Sequence, residues 1–174
     1  LAEKSSIAFH ANTGAVWAYG NSKVTPYTEQ FFVGGANSIR AFNARQIGPG
    51  SYRSSFRRRS YVEQTGDLKL QMNLEYRPHL LGSLYGAVFL DAGNVWTLHH
   101  DTARKGGQFV FKNAFKQMAL GTGVGLRYDI GYFMLRIDWG VGLHVPYNTG
   151  KRGLYNIAKF KDAQTLHLAI GLPF

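Results

Sequence analysis

The chain has 174 residues, a formal net charge of +10, 45% hydrophobic and 14% aromatic residues, 21 glycines and no cysteine. No run of about 18 apolar residues occurs, which excludes a transmembrane helix, and the lack of cysteine excludes disulfides and thiol chemistry. The basic residues are spread along the chain without an RNA-binding or helix-turn-helix signature, so nucleic-acid binding is not expected.

The first predicted strand runs from Ile7 to about Tyr19 and alternates between apolar and small or polar residues. The start of the chain lacks the charged and then apolar pattern of a signal peptide. If the protein is exported, we therefore expect this chain to be a piece of a longer precursor.

A long loop is predicted at about 21–67, and it carries Arg40 among apolar and small residues. A guanidinium in such surroundings needs carboxylate partners, ideally bidentate ones. Further along the loop, Arg53 and the run 57–59 have two open interpretations. They could meet lipopolysaccharide phosphates outside the cell, or they could be solvated.

Five more strands follow, which makes six in all. They are predicted at about 68–78, 84–96, 118–128, 133–144 and 166–174. Most of them place bulky apolar residues on one face and glycine or charged residues on the other. Arg127, Arg136 and Asp138 share the polar faces of neighbouring strands. They could form a salt-bridge network or line water, and we favour the second interpretation.

Long connections at about 21–67, 97–117 and 146–164 alternate with very short ones near 79–83 and 129–131. This asymmetry is typical of a bacterial outer-membrane barrel, with short periplasmic turns and long external loops. A soluble sandwich would also alternate, but it has less reason to put glycine, arginine and aspartate on one face. The pattern favours an all-β, transmembrane antiparallel β-barrel. Since a membrane barrel needs about eight strands, the chain is expected to be part of a larger one.

Four segments appear in a characteristic order and spacing. They are 34–42 in the long loop, 47–50 after it, 73–76 in the second strand and 89–96 in the third. Together they resemble the C-terminal portion of the BamA/TamA family of outer-membrane assembly factors, also called the bacterial surface antigen family. The resemblance covers nearly the whole chain. It implies that residues 1–174 supply the last six strands of a sixteen-stranded barrel in a Gram-negative outer membrane, with the loop at about 21–67 folded into the lumen.

The resemblance also implies a site. Its loop motif corresponds to Gly34, Gly35, Ile39, Arg40 and Phe42, and the lumen-facing partners of the arginine would be Glu75 and Asp91. Position 41 is alanine where the family has glycine, so strain is expected there if the position needs a positive φ.

The last strand is predicted to be apolar on its lipid face through to the terminal phenylalanine. By resemblance it forms a weak lateral seam with the first strand of the barrel, because glycine and proline weaken its ladder. The seam residues are Leu168, Ile170, Gly171, Leu172, Pro173 and Phe174.

No nucleophile motif or metal-ligand spacing occurs, so no enzyme activity, metal or cofactor is expected. The resemblance implies assembly or insertion of β-barrel proteins into the outer membrane. The alternatives are a specialised TamA-like factor for translocation or assembly, a passive channel, and a barrel that anchors a secreted enzyme or surface partner. The implied partners are outer-membrane lipid and lipopolysaccharide, nascent outer-membrane proteins, and periplasmic or lipoprotein accessory subunits.

Overall fold

The computed structural model describes residues 5–22, 24–54, 64–151 and 153–174, and within them the chain forms one antiparallel sheet. The strands are β1 (Ser6–Ala15), β2 (Leu68–Arg77), β3 (His79–Leu81), β4 (Leu84–Trp96), β5 (Ala119–Asp129), β6 (Met134–His144) and β7 (Gln164–Ile170). Helical structure in this part of the chain is limited to α1 (Phe111–Ala114) and three short 3-10 turns, at Tyr27–Glu29, Phe115–Gln117 and Phe160–Ala163. None of these described helices has the length and apolar character needed to cross a membrane.

Neighbouring strands in the sheet follow chain order, β1-β2-β4-β5-β6-β7, and β3 pairs with β4. This up-and-down order needs only hairpin connections. The register between β2 and β4 sets Asn73 opposite Asp91, and that between β5 and β6 sets Arg127 opposite Arg136. Charged residues that are distant in sequence are thereby brought onto one face of the sheet.

The two faces of the sheet are inverted relative to a soluble protein. The outer face carries large apolar side chains that are 38% to 73% exposed. They include Ile7, Phe9, Leu74, Tyr76, Val88, Leu90, Val124, Leu126, Leu135, Ile137, Trp139, Leu166, Leu168 and Ile170. The inner face carries buried polar side chains, among them Gln71, Asn73, Glu75, Asp91, Arg127, Arg136 and Asp138. Apolar residues outward and polar residues inward are the arrangement of a transmembrane barrel wall.

The inner face is covered by the long connection between β1 and β2. Its apolar residues form a buried cluster with residues of β4, of β5 and of the connection between β6 and β7, comprising Val33, Ile39, Ala41, Phe42, Ile47, Val95, Ala119, Val145, Ile157 and Ala163. The hydrophobic core therefore lies between this loop and the wall. Its burial stabilises the loop in its position on the inner face.

Strand boundaries differ from the predicted ones at the end of β1 and in the turn after β2. β1 ends at Ala15 although alternation continues to Tyr19. Val16 N still donates to Asp67 O at 2.8 Å, but Gly66, which would come next in the register, exchanges its backbone hydrogen bonds with Phe31 instead. The predicted short turn near 79–83 contains β3, which pairs back onto β4 around Gly82, where φ is +54°. Glycine accommodates this left-handed conformation without a steric penalty.

The predicted extension of the last strand to Phe174 is wrong. β7 ends at Ile170, and Gly171 adopts φ +88° while its N–H donates to Met134 O at 2.7 Å. The chain then leaves the sheet, and the ring of Phe174 stacks on His10 with centroids 5.2 Å apart and an interplanar angle of 9°. His10 lies opposite Asn73 on the inner face of the sheet. Phe174 therefore lies on the inner side and not on the lipid face.

Candidate functional site

The loop that covers the inner face narrows at Gly34 and Gly35, whose φ angles are +97° and +95°. Gly35 N donates to Phe42 O at 2.8 Å, and Phe42 N donates to Ile39 O at 3.1 Å. A Cβ on Gly34 would collide with the carbonyl of Asn43. The two glycines therefore allow the incoming and outgoing segments of the loop to approach each other. A tight turn between Gly35 and Phe42 forms the tip of the loop.

Ala41, at the position where the family motif has glycine, is not strained. Arg45 is the one non-glycine residue with positive φ in the part of the chain that the structure describes, so Ala41 lies outside the left-handed region. The expectation of strain there does not apply, and the methyl group of Ala41 instead packs over Gly121 of β5.

Arg40, at the loop tip, is completely buried and is held by two carboxylates of the wall. Its Nε and Nη2 each donate to an oxygen of Asp91 at 2.8 Å, and its backbone N–H donates to Asp91 at 2.9 Å. Its Nη1 pairs with Glu75. Burial by itself lowers the pKa of Arg40, but Asp91 and Glu75 outweigh that effect and the net shift is upward. The guanidinium therefore stays charged.

The ring of Phe89 completes the pocket of the arginine, with its centroid 3.7 Å from Arg40 Cζ. An aromatic face at this distance attracts a cation, more strongly where water is excluded. Arg40 is thus enclosed by two anions at its edges and a ring against its plane.

Uncharged residues support the ion pairs of Arg40 with Glu75 and Asp91, which we call the clamp. Asn73 Nδ2 donates to Asp91 Oδ1 and to Ser38 O, both at 2.8 Å. Ser38 Oγ donates to Gln71 Oε1 at 2.7 Å, and Gln71 Nε2 donates to Asn73 Oδ1 at 2.8 Å. These bonds fix Asp91 and join the loop to β2 beside the ion pairs.

The interpretation that Arg127, Arg136 and Asp138 line water is wrong. Arg127 Nη2 lies 3.2 Å from Glu75 and 2.7 Å from Asp138, and Arg136 Nη1 lies 3.5 Å from Asp138. All four side chains are fully buried. The loop covers this face and excludes water, so the charges pair with each other. The clamp on Arg40 is therefore one end of a wider network.

Of the residues predicted for the site, the structure brings together Gly34, Gly35, Ile39, Arg40, Phe42, Glu75 and Asp91. The residues predicted for the seam lie apart from them: Leu168 and Ile170 are 73% and 71% exposed on the outer face, and Leu172 is 46% exposed. Phe174 is the exception, with its ring centroid 5.8 Å from Arg40 Cζ.

Arg53 and the arginines 57–59 of the loop were expected either to meet lipopolysaccharide phosphates or to be solvated. Arg53 Cζ lies 4.3 Å from the ring centroid of Tyr147. The neighbouring arginines 57–59, predicted to meet lipopolysaccharide or solvent, lie outside the described residues. Within the described ranges, no group of three or more His, Asp or Glu side chains could hold a metal ion.

Several residues that contact the loop tip were not predicted from the sequence. Asn37 accepts from Arg136, and the carbonyl of Arg40 is contacted by Thr165 and His167 of β7. A threonine or histidine on a strand face carries no distinctive pattern. Only their place on the inner series of β7 could have suggested that they face the loop.

We predict that the two carboxylates have separable roles. Asp91→Asn should release the loop, because Asp91 receives three hydrogen bonds from Arg40. Glu75→Gln should weaken the wall more than the loop, since Glu75 also pairs with Arg77 and Arg127. Loop cleavage by protease and thermal unfolding of the full-length protein measure the two effects. Identical profiles for the two variants would contradict the assignment.

Fold and site together define the wall of a transmembrane antiparallel β-barrel with a loop bound to its inner face. The family model for the Omp85 superfamily domain matches residues 1–174. The fold is similar to that of BamA from Haemophilus ducreyi lacking POTRA domains 1–3, with a TM-score of 0.60 and 19% sequence identity. That alignment covers 96% of this chain and 32% of the solved chain. The chain belongs to the Omp85 superfamily and is part of a bacterial outer-membrane protein.

Proposed function

We propose that the protein containing this chain assembles or inserts β-barrel proteins in the bacterial outer membrane, without enzymatic catalysis. The chain spans about a third of the similar solved BamA chain, so the proposal concerns the longer protein. The observation that carries it is the buried Arg40, held by Glu75 and Asp91 inside a barrel wall of this superfamily. A passive channel would explain the polar inner face, but it does not require the Arg40 loop motif.

The proposed mechanism uses the edge of the last strand. β7 has seven residues, all paired with β6, and Gly171 turns the chain away from the sheet. Pro173 has no N–H to donate. We propose that β7 forms a weak seam with the first strand of the complete barrel, at which a client strand adds by β-augmentation.

The partners follow from the surfaces. The exposed apolar outer face fits the hydrocarbon of the membrane, and nascent outer-membrane proteins are the proposed clients. Lipopolysaccharide at the external loops and periplasmic or lipoprotein accessory subunits complete the proposal. The loop at about 21–67 folds into the lumen of what we propose is the C-terminal part of a sixteen-stranded barrel.

A disulfide engineered between the first and last strands of the full-length protein should block insertion, because the locked seam can no longer accept a client strand. The matched control places the two cysteines within the β5–β6 pair, at Val124 and Trp139, which face each other on the outer side. Both oxidised proteins are compared with their reduced forms for insertion of an unfolded barrel protein into liposomes. Full activity with the seam locked would refute the mechanism.

The general and specialised forms of the function differ in breadth. Depletion of the full-length protein in its host, followed by quantification of the outer-membrane proteome, separates them. A broad fall in barrel proteins would indicate a general insertase, and loss of a few would indicate a specialised factor. No change, together with ion conductance that persists with the loop bound, would favour a passive channel.

A further inference from the structure

The backbone carbonyl of Arg40 is bound by the last strand. Thr165 Oγ1 donates to it at 2.5 Å, and His167 Nε2 lies 3.0 Å from it. A carbonyl oxygen can only accept, so Nε2 of His167 carries the proton in this arrangement. Thr165 is 9% exposed, so water does not readily replace its hydrogen bond.

The loop tip therefore connects strands that are not neighbours. The guanidinium of Arg40 is bound to β2 and β4, its carbonyl is bound to β7, and β5 and β6 lie between β4 and β7 in the sheet. Arg40 thus forms a bridge across the inner face from the carboxylates to the last strand.

Glycines of β5 and β6 make this bridge possible. A Cβ on Gly140 would lie 2.6 Å from Arg40 O and 2.9 Å from Ala41 Cα, and a Cβ on Gly121 would overlap that of Ala41. The backbone of the loop tip consequently rests directly on the backbone of the wall. This close approach brings the Arg40 carbonyl within reach of β7.

β7 has a second attachment besides its ladder with β6. It pairs on one side with β6, from Leu135 opposite Ile170 to Val141 opposite Gln164, and has no partner on its other side within the described residues. Thr165 and His167 alternate with the outward residues of β7, so both reach the loop tip from the inner face. Their hydrogen bonds attach β7 to the loop on the inner face, in addition to the backbone hydrogen bonds that attach it to β6 within the sheet.

We propose that Thr165 and His167 are positioning residues that couple the bound state of the loop to the position of the last strand. While Glu75 and Asp91 hold Arg40, its carbonyl holds β7 against β6. Release of the arginine frees the carbonyl and loosens β7. Because coupling is reciprocal, loss of the β7 hydrogen bonds also loosens the loop. The significance of this coupling for the seam rests on the proposed function, but the coupling itself does not require a client.

The test is hydrogen exchange of residues 164–170 in the full-length protein, measured by mass spectrometry in nanodiscs without a client. Thr165→Val keeps the shape and removes the donor, whereas Thr165→Ser keeps the hydroxyl. The matched control is Thr13→Val, which removes a hydrogen bond from Thr13 Oγ1 to Lys69 O, 3.1 Å long, between β1 and β2 and outside the pocket of Arg40. Folding of each variant is checked by heat-modifiable migration. If Thr165→Val fails to fold, the pair His167→Leu and His167→Gln replaces it.

We expect Thr165→Val to speed exchange in β7 by about twofold to tenfold, as the loss of one hydrogen bond implies. Thr165→Ser and Thr13→Val should leave it unchanged, and Arg40→Ala should speed it as well. Thr165→Val should also hasten proteolysis of the loop, which a purely local role would not do. Unchanged β7 exchange in Arg40→Ala, or unchanged loop cleavage in Thr165→Val, would overturn the coupling. Absence of insertion activity in the wild type would instead refute the proposed function.

Discussion

Replacement of Arg40 by alanine is expected to release the loop from the inner face of the barrel wall. Asp91 and Glu75 would remain buried without their main partner, and the loss of one side of a buried ion pair costs about 3–5 kcal/mol. The apolar contacts of the loop remain, so we expect the equilibrium to shift toward the open loop by the cost of the lost ion pairs. In the full-length protein, limited proteolysis should cut the loop far faster than in the wild type.

Two control variants show whether the effect belongs to the buried pair. Arg53→Ala removes an exposed arginine of the same loop that contacts only the ring of Tyr147, so a much smaller change in cleavage than in Arg40→Ala is expected. Arg40→Lys keeps the charge but loses the planar fork that binds Asp91 through two nitrogens, so an intermediate result is expected. Wild-type resistance to protease in Arg40→Ala would show that the ion pairs do not hold the loop.

Substitution of Gly140 by alanine is expected to weaken the binding of the loop tip from the opposite side of the contact. A methyl group there would lie 2.6 Å from Arg40 O, and that atom belongs to the backbone, so it cannot turn aside as a side chain can. Either the loop tip lifts off β6 or the strand shifts, and both outcomes weaken the hydrogen bonds between Arg40 and Asp91. Overpacking of this kind costs about 1–3 kcal/mol.

The matched control for this substitution is Gly86→Ala. Gly86 also lies in a strand of the sheet, but a methyl group there would meet only the side chains of Pro78 and Leu80, at 3.2 Å or more. Loop cleavage and thermal unfolding of the two variants are compared in the full-length protein. Equal behaviour of the two would mean that the close approach of the loop to Gly140 contributes nothing to its binding.

The strands could be predicted because alternation reports burial directly. In β2, Leu74 and Tyr76 face outward while Asn73 and Glu75 face inward, as their spacing requires. The third predicted strand was ambiguous, since both of its faces are apolar before Asp91. The structure places Phe89 inward and Val88 outward, and the inward ring belongs to the pocket of Arg40.

The environment of the inner face could not be predicted in the same way. Alternation places Arg127, Arg136 and Asp138 on one side of the sheet, but it does not reveal what covers that side. The loop covers it, removes the water and turns solvent-lining charges into a buried network. The pairing of Arg40 was predictable because a lone charge among apolar residues requires a counterion. The resemblance to the family indicated that Glu75 and Asp91 would supply it.

Strand ends were the least predictable feature, because they depend on hydrogen bonds to distant residues. Continued alternation after Ile170 favours a longer β7, yet Gly171 takes a positive φ and the chain turns inward. The contact between Phe174 and His10 joins the two ends of the described chain and has no local signal. The same holds for Thr165 and His167, whose role depends on a backbone carbonyl about 125 residues away in sequence.

The most direct test of the proposed function is reconstitution of the purified full-length protein in liposomes of outer-membrane lipid. An unfolded barrel protein is added, and its folding is followed by heat-modifiable migration. We expect faster folding than in empty liposomes, with the acceleration lost in Arg40→Ala and retained in Arg53→Ala. Folding no faster than in empty liposomes, with the protein itself correctly folded and its expected accessory subunits present, would contradict an assembly function.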